Sequence, residues 1–147
     1  MKSEFKAYLE KIDLSSEAIE KNVGLIIDYA KRLCKEEIID IFVNDYYQED
    51  GSRGYGSLYL MSEKYICEAR NFRNTVEYDI DVALLKDAVV YFRVYVKSYD
   101  FRHSTKESRF TIDCASETGT TFQLKACHEN CDRLVEILDN YIRPNTY

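Results

Sequence analysis

The sequence predicts an α+β fold in which two N-terminal helices precede seven short antiparallel strands, and one further helix follows them. Three observations carry this expectation. Apolar residues recur at helical spacing over residues 1–36. From Ile38 to Ala126 the chain breaks into seven short segments of alternating polarity, and from Cys127 to Ile142 the helical period returns. A chain of 147 residues, 46% hydrophobic and 31% charged, is long enough to bury a real core as one domain. Thirteen Tyr and seven Phe with a single Pro also favour strands, because an aromatic ring packs well on a half-buried pleated surface.

Phe5, Tyr8, Leu9 and Ile12 define the first helix. Asp13-Leu14-Ser15-Ser16 stops it and caps the second, with Glu17 in the first turn and Lys31, Arg32 and Lys35 in the last turns, where each charge complements the helix dipole. Ile19, Val23, Ile26, Ile27, Ala30, Leu33 and Cys34 form its expected buried stripe. Gly24 within it implies a close packing contact, since glycine otherwise weakens a helix.

Strands are then expected at Ile38–Tyr47, Ser57–Met61, Tyr65–Ala69, Thr75–Ile80, Val89–Tyr99, Arg109–Ala115 and Thr120–Ala126. The loop Gln48–Gly56 holds three of the five Gly, and Ser62-Glu63-Lys64 and Ser116-Glu117-Thr118-Gly119 read as hairpin turns. Residues 81–86 read as a short helical turn or a loop. The last helix places Cys127, Cys131, Leu134, Val135, Leu138, Tyr141 and Ile142 on one stripe, with Pro144 just past its end. This divides the chain into a helical extension, residues 1–36, and a strand-rich domain, residues 37–147.

The residues Gly56-Ser57-Leu58-Tyr59-Leu60-Met61-Ser62-Glu63-Lys64-Tyr65-Ile66 resemble a hairpin of bacterial PH-like and GRAM-type domains, and Val76 to Val82 is similar to the segment that follows it there. The resemblance spans about residues 37–143 and departs from the family pattern at Met61, Lys64 and Tyr65. It implies a PH-like, seven-stranded, partly open antiparallel barrel capped by the C-terminal helix. Lipid-binding PH domains carry basic residues at the first hairpin loop. Here that loop sets Glu49 and Asp50 against a lone Arg53, which argues against a membrane lipid as ligand.

Net charge is −6, which disfavours general nucleic-acid binding because phosphate repels an acidic protein at long range. Residues 91–110 reverse the sign, with five basic against two acidic side chains. Within them Tyr91, Arg93, Tyr95, Lys97 and Tyr99 alternate on one strand face, with Arg102 beyond. Rings and cations so interleaved can receive an acidic protein partner, or stack the bases of a single-stranded nucleic acid across residues 91–109.

The other constellations carry less. Glu77, Asp79 and Asp81 form a carboxylate ladder that could hold a hard cation for a small metal-dependent enzyme, but alternation along a solvated strand explains them too. Cys127 and Cys131 at i, i+4 could share a metal with Cys114. Both fall on the apolar stripe, where free Cys behaves as a small hydrophobe. No catalytic residue, metal site or cofactor follows from these spacings.

Five Cys, an odd number, fit reduced thiols, and the first six residues mix charge signs without an apolar run. A cytoplasmic location is therefore expected. The expected function is a non-enzymatic protein–protein interaction module, an adaptor or an inhibitor of the immunity type. It would bind through the Tyr/Arg/Lys strand face or through the N-terminal helices, which could alternatively pair two copies of the chain.

Overall fold

The computed structural model describes residues 1–74, 77, 79–85, 88–100, 103–114, 121–142 and 144, with backbone alone for 88–100, 103–114 and 121. The architecture is α+β. Helices α1 (Ser3–Lys11) and α2 (Glu17–Cys34) precede β1 (Asp40–Tyr47), β2 (Arg53–Met61), β3 (Tyr65–Arg70) and β4 (Asp79–Leu84). These four strands form one antiparallel sheet in the order β1-β2-β3-β4. Strands β5 (Ala88–Asp100), β6 (His103–Cys114) and β7 (Thr121–Cys127) pair as a separate antiparallel sheet, and α3 (Asn130–Ile137) follows, widening into a π-helical segment at Leu138–Ile142.

Alternation along β1–β4 sends side chains to two different cores, because successive residues of a strand point to opposite faces. Ile41, Val43, Leu58, Leu60, Cys67 and Ala69 face α1 and α2, where they pack with Phe5, Leu9, Ile12, Val23, Ile26 and Ala30. Phe42, Tyr59, Met61, Ile66 and Ala83 face the other way, against Phe122, Leu124 and Ala126 of β7 and Leu134, Ile137 and Leu138 of the C-terminal helical segment. Burying each of these larger aliphatic side chains is worth about 2 kcal/mol, so neither layer is ornamental. Residues 1–36 share one core with the sheet.

Side chains then fasten the helices. Ser16 caps α2 by accepting from the Ile19 N–H at 3.2 Å, and Lys35 ends it in a left-handed conformation. The Tyr55 hydroxyl donates to the Ile12 carbonyl at the end of α1, at 2.5 Å. Asn22 reaches from α2 to the carbonyls of Phe72 and Asn74, both at 3.3 Å.

Several expectations need correction. The described fourth strand is Asp79–Leu84 and takes in most of the segment expected as a turn or loop, while Thr75, Val76 and Tyr78 of the expected strand Thr75–Ile80 lie outside the described residues. The reason is the ladder with β3. Ile80 and Val82 lie against the helical core while Ala83, opposite Ile66, fills the other. The last helix starts at Asn130, not Cys127, because Cys127 is still paired to Glu107 and His128 turns the chain at φ 52°. Where a partly open barrel was expected, the described residues form two sheets with no ladder joining them.

Gly24 does not mark a close contact, since a Cβ there would meet nothing within 4 Å. Gly56 does, because its Cβ would lie 3.1 Å from the Asn44 Cβ. Gly24→Ala is therefore expected to stabilise the protein by about 1 kcal/mol, through the backbone entropy of glycine. Gly56→Ala is expected to lower stability. Thermal unfolding of the two variants checks both signs.

Candidate functional site

Among the described residues, the seam between β1 and β7 and the outer face of α2 both gather chemically interesting side chains. The seam exists because β1, apolar from Ile41 to Val43 and aromatic at Tyr46 and Tyr47, carries Asn44 and Asp45 between them. The Asn44 carboxamide donates to the Gln123 carbonyl and accepts from the Lys125 N–H, each at 2.8 Å, the two groups that flank Leu124. Asp45 accepts from the Cys127 N–H at 2.8 Å and from the Asn130 side chain at 2.9 Å. Asn130 also donates to the Val43 carbonyl at 2.8 Å, and its oxygen accepts from the Tyr8 hydroxyl at 2.8 Å. Tyr8 in turn accepts from the Val43 N–H at 3.0 Å. Side chains thus do between β1 and β7 what a backbone ladder does within each sheet.

Asp45 has no exposure, and its second oxygen lies 3.4 Å from the Arg53 Nε. Arg53 continues to the Glu129 carboxylate at 2.9 Å. Burial pushes the Asp45 carboxyl above the ordinary carboxylate range, against the opposing pull of Asn130, the Cys127 N–H and Arg53. Burial also works against the charge on Arg53. Its hydrogen bonds to Glu129 and Tyr55 and the charge of Asp45 outweigh that and keep it protonated. Arg53 is thus held by contacts within the protein, its side chain only 14% exposed.

The seam is poorly suited to nucleophilic chemistry. The Cys127 thiol is pushed up to about 12 by burial and by Asp45, so it stays protonated at neutral pH. His128 stacks edge-on against Tyr47 with ring centroids 4.5 Å apart, and its Nδ1 lies 3.1 Å from the Tyr47 hydroxyl. A cleft of about 230 Å³ opens between α1 and α3, lined by Lys11, Glu129, Asp132, Arg133 and Glu136 among others. Arg133 lies over the Tyr8 ring, 5.0 Å from its centroid, and pairs with Asp40.

The second place is α2 itself. Leu25, Tyr29 and Leu33, at i, i+4 and i+8, are 44%, 49% and 58% exposed and form a continuous outward stripe. Beside it lies an open depression lined by Asp28, Lys31, Arg32, Lys35, Glu36 and Glu37. Lys31 pairs with Glu37 at 2.6 Å, and the Arg32 guanidinium lies 6.0 Å from the Tyr29 ring centroid. Leu33 was expected on the buried stripe and is instead its most exposed leucine. Leu25 and Tyr29 went unremarked in the sequence. Their four-residue spacing with Leu33 is the signal that could have found them.

The residues singled out from the sequence fare unevenly. Tyr91, Arg93, Tyr95, Lys97 and Tyr99 lie on β5, where the first four pair in backbone register with Thr111, Arg109, Glu107 and Thr105. Their side chains, and all of Arg102, lie outside the described residues. The carboxylate ladder is not continuous: Glu77 precedes β4, Asp79 is exposed at its start, and Asp81 pairs with Arg70 at 2.8 Å. Cys127 and Cys131 do not share a helix face; both are buried, and the Cys131 thiol donates to the Ala126 carbonyl at 3.4 Å. Among the described residues, no three His, Cys, Asp or Glu side chains converge on a metal-sized site. No helix is long and apolar enough to cross a membrane, again among the described residues.

Compared with family models, with curated proteins and with solved structures, the chain matches none.

Arg53→Met is expected to destabilise the protein by about 3 kcal/mol near neutral pH, because it leaves the Asp45 carboxylate buried without its cation. A carboxyl whose pKa is higher folded than unfolded favours the folded state as it gains a proton. The deficit should therefore shrink as pH falls from about 7 towards about 4.5. Urea unfolding of both proteins at the two pH values measures it.

Proposed function

We propose that this protein is a non-enzymatic interaction module of PH-like build that receives a protein partner on the outer face of α2. The observation that carries the docking reading is the exposed stripe Leu25, Tyr29 and Leu33. Single exposed apolar residues are ordinary, whereas three in line on one helix face make a contiguous patch. Tyr29 is the natural anchor, since aromatic rings bury large area with few rotatable bonds, and Tyr is enriched where binding energy concentrates. Arg32 and Lys35 lie beside the stripe together with Asp28, Glu36 and the paired Lys31 and Glu37, so the partner that fits is an apolar protein surface with a rim of mixed charge.

The helix is well placed to serve as a platform. Its inner face is held by Val23, Ile26, Ala30 and Cys34 in the core, so it presents the stripe without having to order itself on binding. The PH-like part of the reading is supported by the β2–β3 hairpin, where the resemblance lies, and by the antiparallel strands followed by a helix that packs onto their apolar face.

Affinity capture from the native source, read by mass spectrometry, tests the docking face. Proteins retained by the wild type should be lost to Leu25→Asp/Tyr29→Asp/Leu33→Asp, with binding weakened at least about tenfold and the melting temperature nearly unchanged. They should persist with Arg93→Glu/Lys97→Glu. The reverse pattern moves the docking face to β5.

A further inference from the structure

Cys34 is the last residue of α2 and Cys67 lies within β3, yet their Sγ atoms are 3.3 Å apart, both side chains buried in the core between helices and sheet. That separation is a thiol–thiol hydrogen bond, and it leaves about 1.3 Å to close to a disulfide of about 2.05 Å. Both thiols are free. Cys127 is a strand residue at the seam, and the Cys131 thiol donates to the Ala126 carbonyl.

We propose that Cys34 and Cys67 are an oxidation site, a dithiol that a small two-electron oxidant such as hydrogen peroxide converts to a disulfide joining α2 to the sheet. The pair divides the labour. The hydrogen bond with Cys67 lowers the pKa of Cys34, and the same bond, which holds the Cys67 proton, raises the pKa of Cys67 together with burial. Cys34 also sits where the helix ends, beside the exposed Lys35, so a molecule the size of water needs only fraying of the last turn to reach it.

The Cys34 thiolate attacks one peroxide oxygen; the O–O bond breaks, an S–O bond forms, and hydroxide leaves to take up a proton as water. The Cys67 sulfur then attacks the Cys34 sulfenic sulfur; the S–S bond forms and the hydroxyl departs with the Cys67 proton as a second water. Two electrons have passed from the sulfurs to the peroxide. The disulfide closes the chain from residue 34 to residue 67, a loop that includes β1 and β2, so it restricts the unfolded state as well as pinning the C-terminal end of α2.

The test treats the reduced full-length protein with hydrogen peroxide and maps the cysteines by proteolysis and mass spectrometry. The expected product is lighter by about 2 Da, with the peptides containing Cys34 and Cys67 linked, and its melting temperature is higher by about 5 °C until a dithiol reductant is added. In Cys67→Ser, Cys34 should be recovered as a dimedone adduct of the sulfenic acid, since nothing remains to resolve it. Recovery of Cys34 and Cys67 as alkylated thiols after peroxide treatment, or linkage of either to a different cysteine, overturns the proposal. Because the wild-type protein gives that answer alone, a variant that fails to fold leaves it decidable.

Discussion

Everything on the β1 side of the molecule depends on Asn130. Its carboxamide donates to the Val43 carbonyl and the Asp45 carboxylate and accepts from Tyr8, so one side chain joins β1 to α1 and to the start of α3. Each partner is buried, and a buried polar group left without its bond destabilises by about 1–3 kcal/mol. Such a network is all or nothing: fully satisfied it specifies one arrangement, and with a member missing it strands the rest. Asn44 and Asp45 extend it along β7, where they occupy backbone groups of Gln123, Lys125 and Cys127. The two sheets therefore meet through side chains. This is a more exacting joint than a ladder, since only a residue with the right length and the right donor and acceptor can make it.

The same joint explains the position of the helices. A four-stranded sheet with one face on α3 and β7 still has a second face rich in Ile, Val and Leu, and α1 and α2 cover it. Once α2 is committed inward through Val23, Ile26 and Ala30, helical geometry sends Leu25, Tyr29 and Leu33 outward. The exposed stripe is thus not a defect of a marginal helix. It is the second apolar face of a helix whose first face is fully used. The proposed docking surface and the Cys34–Cys67 pair sit near the same end of α2, one outside the core and one within it.

Much of the architecture was legible, and the reasons are local. The capping Ser16, the apolar spacing of α2 and the hairpin at Ser62–Lys64 are short-range patterns, and the structure keeps each of them. Where reading failed, a distant partner decided. Residues 81–86 read as a turn or loop, but pairing to β3 carries the strand on through Leu84. The helical period runs back to Cys127, but β6 holds that residue in a ladder and His128 breaks the helix. Gly24 looked like a contact and is open, while Gly56 looked like loop and makes room for Asn44. At the candidate site, Leu33 fitted a stripe that is wide enough to include it. Only the position of the sheet shows which edge of that stripe is buried.

By itself, then, the sequence determined the α+β class, the two N-terminal helices, the order of helices and strands, and the acidity that sets what partners approach from afar. Periodicity and charge are properties of neighbours in the chain, and they can be read there. Tertiary structure alone decided that Arg53 faces inward to Asp45 and Glu129, that Cys34 meets Cys67 across 33 positions, and that α2 keeps one apolar face for the outside. These are pairings between residues far apart in sequence. No local pattern encodes them, because each depends on which faces the folded chain has already buried.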